Sequence, residues 1–132
     1  MPILVKGLEA IRFNDQGLIP IAVQDAGTRE MLTLAFMNRE ALERTVETGK
    51  IHVFRRSKGR VMMKGETSGM TQDVREVRVN CDGNSVLFLV DPHGPGCHEG
   101  YHSCYFRRLN PDTGEWEVTA ERGFDPADVY GK

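Results

Sequence analysis

Residues 74–90 read VREVRVNCDGNSVLFLV. Two runs, 74–79 and 85–90, have the composition of strands, and Asp82-Gly83-Asn84 between them is turn chemistry. Within the second run, residues 86–90 (VLFLV) are apolar at every position, which predicts a buried strand in the middle of a sheet. Upstream, residues 51–54 and 61–63 predict a further pair of strands joined across Ser57-Lys58-Gly59. Before them comes the clearest helix, Arg39–Thr48, with Asn38 placed to cap its free amides and Gly49 to supply the left-handed residue after it. Ala41, Leu42, Thr45 and Val46 fall on one face of that helix, and Glu40 with Arg44 forms a favourable i,i+4 pair.

Further toward the amino terminus, residues 18–24 (LIPIAVQ) suit a strand, and Asp25-Ala26-Gly27 suits a turn. Residues 31–37 (MLTLAFM) fit a returning strand, although so short a run does not by itself separate strand from buried helix. Downstream, residues 91–100 (DPHGPGCHEG) hold two Pro and three Gly and predict irregular chain. Residues 103–109 are the candidate for one more strand, and Asp112-Thr113-Gly114 marks a terminal hairpin. The expectation is a single α+β domain over residues 1–132, with a mostly antiparallel sheet and few helices.

At 132 residues the chain is long enough to bury a core without disulfide staples. A net charge of −2 argues against a broad basic face for nucleic acid. No run approaches the length of an apolar membrane span, and the opening residues MPILVKGLEAIRFNDQG lack the pattern of a signal peptide. The expected location is therefore the cytoplasm, with no membrane partner, where thiols stay reduced. The three cysteines, an odd number, cannot form a closed disulfide set within one chain.

Those cysteines belong to the densest chemical cluster in the chain. Cys81, Cys97, His98, His102 and Cys104 all fall in predicted loops or at strand ends. Thiolate and imidazole are the ligands of zinc, and three thiolates leave the fourth position of a tetrahedral ion open, as a catalytic zinc requires. The competing reading is three inert, buried cysteines. Asn80, Asp82 and Asn84 place oxygen donors at alternate positions around Cys81, suited either to a magnesium ion or to an ordinary Asn/Asp/Gly turn. The basic run Arg55, Arg56, Lys58, Arg60 and Lys64, followed by Gly65-Glu66-Thr67-Ser68-Gly69, suits either phosphate binding or a solvated charged hairpin.

Taken together, LAFMNREALERTVETG, RRSKGRVMMKGETSG, the cysteine of NCDGN, and GCHEGYHSC give the chain a resemblance to the phosphoribosyl-AMP cyclohydrolases of histidine biosynthesis, from about residue 19 to 107. The resemblance implies a homodimer whose zinc sites draw cysteines from both chains, and a phosphoribosyl purine nucleotide as substrate. The reaction the resemblance implies is addition of water at C6 of the purine ring and breakage of the N1–C6 bond. It maps the zinc ligands onto Cys81, Cys97 and Cys104, and the proton-moving histidine onto His98. Arg56, Ser57, Lys58, Lys64, Thr67 and Ser68 are then the candidates for holding phosphate. The family's three magnesium aspartates correspond to Asn80, Asp82 and Asn84, of which only Asp82 retains a carboxylate. Glu99 stands where a threonine is usual, and Met62 where a tryptophan often stands.

Three thiolates give their zinc unit a net negative charge, so bound water is less acidified than on a three-histidine zinc, and a base titrating near neutrality such as His98 becomes useful. His102 is placed as a second proton carrier or as an orienting neighbour. The alternatives to the cyclohydrolase are a divergent paralogue that opens a related heterocycle and a non-catalytic zinc-stabilised binding module. The latter needs a fourth protein ligand, from His98 or His102.

Overall fold

The computed structural model describes residues 7–97 and 99–129. The first six residues, on which the reading of no leader partly rests, lie outside this range, as does His98, the candidate proton carrier. The chain forms strands β1 (Ile19–Asp25), β2 (Met31–Met37), β3 (His52–Arg55), β4 (Arg60–Met63), β5 (Gln72–Val79), β6 (Val86–Pro92), β7 (Arg107–Leu109) and β8 (Trp116–Val118). Helix α1 spans Arg39–Thr48, a short helix α2 spans Pro126–Val129, and a 3₁₀ turn covers Leu8–Ala10.

The main sheet has the order β2-β1-β6-β5, while β3-β4 and β7-β8 are separate hairpins. As VLFLV predicts, β6 is central: Phe88 and Val90 are fully buried, and Val86 and Leu89 almost so. Pairing is antiparallel for β1 with β2 and for β5 with β6. Pairing of β1 with β6 is parallel, with Ile21 opposite Val86 and Asp25 opposite Val90. The α+β class, mostly antiparallel with few helices, is what the chain adopts.

Helix α1 has the predicted ends. The Asn38 side chain accepts from the Ala41 amide at 2.8 Å, and Gly49 takes φ +75°. Its buried face is Ala41, Leu42 and Thr45. The Thr45 hydroxyl donates to the Ala41 carbonyl and accepts from the His52 amide, both at 2.8 Å, tying the helix to the first residue of β3. This interlock and the apolar contacts of Ile51 and Val53 with Ile21, Val23 and Leu42 seat the β3–β4 hairpin against the sheet. Full burial of a side chain such as Ile21 stabilises by about 1.5–3 kcal/mol.

Residues 103–109 depart from the expected strand. Only Arg107–Leu109 is extended, paired with Trp116–Val118. The preceding chain is diverted: the Ser103 hydroxyl donates to the Met31 carbonyl at 2.5 Å, the Cys104 amide donates to the Leu32 carbonyl at 2.7 Å, and the rings of Tyr101 and Phe106 stack with centroids 3.8 Å apart. Among the described residues, no helix is long and apolar enough to cross a membrane.

Candidate active site

Between the β1–β2 side of the sheet and the β3–β4 hairpin lies a cleft of about 1050 Å³, ample for a ligand of nucleotide size. The hairpin turn contributes Arg55, Arg56, Ser57 and Lys58, and the loop after β4 contributes Lys64, Glu66, Thr67 and Ser68. All six candidate phosphate-binding residues therefore line one wall system, although they come from two separate turns.

Local chemistry explains both turns. The first closes with the amides of Lys58 and Gly59 on the Arg55 carbonyl, at 3.0 and 2.7 Å. Arg56 is held over the ring of Phe36 in β2, its guanidinium carbon 4.1 Å from the ring centroid. In the second turn, the Gly69 amide donates to the Gly65 carbonyl at 2.7 Å, and the Glu66 carboxylate accepts from the Met63 amide at 3.0 Å. Gly65 has φ +87°, and a Cβ there would lie 2.5 Å from the backbone carbon and oxygen of Met70, so only glycine fits. The Lys64 amide donates to the Ile51 carbonyl at 2.8 Å, fixing the start of the loop to the base of the hairpin.

Cys104 lines the same cleft, and the Cys97 thiol is within hydrogen-bonding reach of it. Cys97 is buried with Tyr101 and Phe106. Burial pushes its thiol pKa up, and the neighbouring Cys104 pushes the same way, while amides of Glu99 and Tyr101 oppose the rise. Burial pushes the Lys64 ammonium down; the two thiols pull it back up, and Arg55 adds to the fall. Such a pair of thiols becomes a pair of thiolates when a cation stands beside them, and two adjacent sulfurs are a donor set that zinc accepts.

Cys81 is elsewhere. It is exposed in the turn that leads into β6. Cys97 and Cys104 sit beyond the other end of β6, next to Leu32 and the end of β1. The seven residues of β6, at about 3.3 Å each, put roughly 20 Å between the two ends. Consistent with this, no group of three His, Cys, Asp or Glu side chains among the described residues converges on a metal-sized point. Val77 and Val79, near Cys81, are exposed, as are Tyr105, Trp116 and Val118 near Cys104. Both thiol regions thus border uncovered apolar surface.

At the Cys81 turn, Asn80 and Asn84 are bonded to each other, Nδ2 to Oδ1 at 2.7 Å. The Asn80 Oδ1 also accepts the amides of Asn84 and Ser85 at 2.9 and 3.1 Å. These oxygens close the turn, which leaves Asp82 as the one carboxylate of the trio. That donor set does not fit a magnesium ion, which demands several hard oxygen ligands.

His102 is outside the cleft lining. Its Nε2 lies 2.9 Å from Asp25 Oδ2 and 3.6 Å from Glu30 Oε1, so the loop carrying Cys104 is anchored to the β1–β2 turn. The other Asp25 oxygen accepts the amides of Gly27 and Thr28 at 2.8 and 3.2 Å. Burial raises the Asp25 pKa, but the two amides and His102 outweigh it and hold the carboxyl below the usual carboxylate range. A lowered folded-state pKa gives stability that is present above the unfolded value and is lost as pH falls through the folded one. Wild-type melting temperature is therefore expected to fall between pH 5 and pH 3 more steeply than that of Asp25→Asn. Parallel melting curves for the two proteins across that range would refute the assignment.

Two residues of the cleft carried no signal in the sequence. Phe36 hides in the apolar run of β2, and Gln72 opens β5 as one polar letter before a strand. Gln72 is 1% exposed, and its Oε1 is buried with no hydrogen-bond partner among the described residues. An unsatisfied buried acceptor costs about 1–3 kcal/mol.

The family model for phosphoribosyl-AMP cyclohydrolase matches residues 33–106. That span contains every cleft-lining residue except Val23 and Pro126. The chain belongs to the phosphoribosyl-AMP cyclohydrolase family. It is similar to the phosphoribosyl-AMP cyclohydrolase of Pelotomaculum thermopropionicum, with 49% identity over 95% of this chain and 96% of that protein. The phosphoribosyl-AMP cyclohydrolases of Methanosarcina barkeri and Haloquadratum walsbyi are 50% and 48% identical, over 89% and 91% of this chain and 87% of each relative. As a member of this family the chain is a cyclohydrolase, an enzyme acting on carbon–nitrogen bonds in cyclic amidines.

Proposed function

We propose that the chain hydrolyses the N1–C6 bond of phosphoribosyl-AMP, in histidine biosynthesis, as a zinc-dependent homodimer. The observation that supports this best is one cleft lined by two phosphate-suited turns and by Cys104, with the Cys97 thiol beside it. Arg56, Lys58 and Lys64 bind the substrate phosphates, with the hydroxyls of Ser57, Thr67 and Ser68 completing the anion contacts. The purine ring then lies toward Cys104. The water oxygen bonds to C6, one water proton passes to a base, and the N1–C6 bond breaks with a proton delivered to N1. His98 is the residue to which this reading assigns both proton transfers.

Cys97 and Cys104 of one chain, with Cys81 of a second, would hold the zinc ion. When bound, zinc supplies acidification of a water and polarisation of the bond under attack. Separation of Cys81 from the other two along β6, and apolar surface beside each, support a site completed across a dimer.

Purified protein given phosphoribosyl-AMP is expected to release the ring-opened product at a rate on the order of 1–10³ s⁻¹. Metal analysis of the same sample is expected to find zinc. Arg56→Ala is expected to raise KM by about 10-fold or more while kcat changes little, because the guanidinium acts far from the ring. Zinc-loaded protein that leaves phosphoribosyl-AMP intact would overturn the proposal.

A further inference from the structure

We propose that Gln72 positions the substrate ring by accepting a hydrogen bond from the exocyclic N–H of its amidine; this rests on the cyclohydrolase reading above. Gln72 lines the cleft together with Lys64 and Cys104, and Lys64 lies close enough to feel the Cys104 thiol. A Cβ built on Gly96 would lie 2.8 Å from Gln72 Nε2 and 3.9 Å from Lys64 Cε. The amide, the lysine and the chain leading into Cys97 therefore meet at one place, where the proposed reaction opens the ring. Among the described residues the Gln72 carbonyl oxygen has no partner, whereas the hydroxyl of Thr45 and the carboxylate of Asp25, also buried, are bonded. Such an oxygen can accept from a donor brought in from outside, and the long, flexible Lys64 side chain beside it is free to turn toward phosphate when the ligand enters.

The proposed substrate carries that donor. An adenine alkylated at N1 is an amidine that is protonated near neutral pH, so its exocyclic nitrogen donates and does not accept. A hydrogen bond from a charged donor to a neutral amide oxygen is stronger than a neutral one. The charge is present in the bound substrate and fades as water adds at C6, so the contact serves binding of the substrate more than the barrier. Its loss should consequently be read in KM.

Gln72→Met keeps the length of the side chain and removes the acceptor. It is expected to raise KM for phosphoribosyl-AMP about 10- to 100-fold with kcat within a few-fold of wild type. Its zinc content should be unchanged, and its melting temperature equal to or above that of wild type, since an unsatisfied buried group is gone. Gln72→Glu, which retains an acceptor at the same place, is expected to bring KM back toward the wild-type value. If Gln72→Met does not fold, Gly96→Ala tests the same point, because its Cβ would meet the amide at 2.8 Å; the same rise in KM with unchanged zinc content is expected. A KM within twofold of wild type in an active Gln72→Met protein overturns the role of Gln72 and leaves the cyclohydrolase reading standing. A fall in kcat with loss of zinc or of melting temperature overturns it as well, in favour of a packing role. Failure of the wild type itself to turn over phosphoribosyl-AMP removes both.

Discussion

Cys81→Ala chains and Cys97→Ala chains are each expected to be inactive, with turnover reduced by 10³-fold or more, and an equal mixture after subunit exchange is expected to regain about a quarter of wild-type activity. The two cysteines lie beyond opposite ends of β6, a strand roughly 20 Å long, so they cannot serve one metal ion within one chain. If each site takes Cys81 from one subunit and Cys97 with Cys104 from the other, a mixed dimer places both lesions in one site and leaves the other whole. Random exchange makes about half the dimers mixed, and half of their sites are intact. Zinc content should follow the same arithmetic. The measurement is turnover and metal content before and after exchange, with wild type as reference. A mixture as inactive as its components would exclude a shared site, and an active Cys81→Ala protein would remove Cys81 from the chemistry altogether.

Much of the fold was legible because its signals are local. Asn38 and Gly49 bracket α1, Ser57-Lys58-Gly59 and Asp82-Gly83-Asn84 close hairpins, and VLFLV names the central strand. Each is a preference acting over a few residues. The parallel pairing of β1 with β6 joins segments about 65 positions apart, and an apolar run carries no mark of the direction in which its neighbour lies. The shortening of the expected strand at 103–109 has the same origin. Ser103 and Cys104 bond to carbonyls of Met31 and Leu32, which are remote in sequence.

The site shows the same division. Arg56, Lys58, Lys64, Thr67 and Ser68 were visible as a cluster of cations, hydroxyls and glycines, a pattern that a solvated charged hairpin shares with an anion site, and the fold adds that all five line one cleft. Phe36 under Arg56 and the buried amide of Gln72 did not, since an aromatic in an apolar strand and a glutamine at a strand end are commonplace letters. Their meaning arises only when the hairpin folds over the sheet. Spacing of the cysteines along the chain likewise concealed their separation in space, because Cys81 and Cys97 are only a strand and two turns apart in sequence.

Gly65→Ala is expected to have the largest effect of any single change that leaves the thiols and the cationic side chains in place. Two costs combine. Alanine at φ +87° is disfavoured by about 1–2 kcal/mol. Its Cβ would also meet the Met70 backbone at 2.5 Å, and backbone on both sides cannot yield as a side-chain tip would. The loop must open, which breaks the Gly69 amide to Gly65 carbonyl bond and displaces Thr67 and Ser68 from the cleft. A shift of about 1 Å in groups that place a substrate can cost on the order of 100-fold in kcat/KM. That loss is expected here, with a fall in melting temperature of about 5–15 °C. Gly17→Ala supplies the comparison. Gly17 has φ +75° with nothing among the described residues within 4 Å of an added Cβ, so it carries the conformational cost without the collision. It should lose a few degrees of melting temperature and keep its kcat/KM. Equal losses of activity in the two proteins would show that general destabilisation, and not the shape of the 64–69 loop, governs turnover.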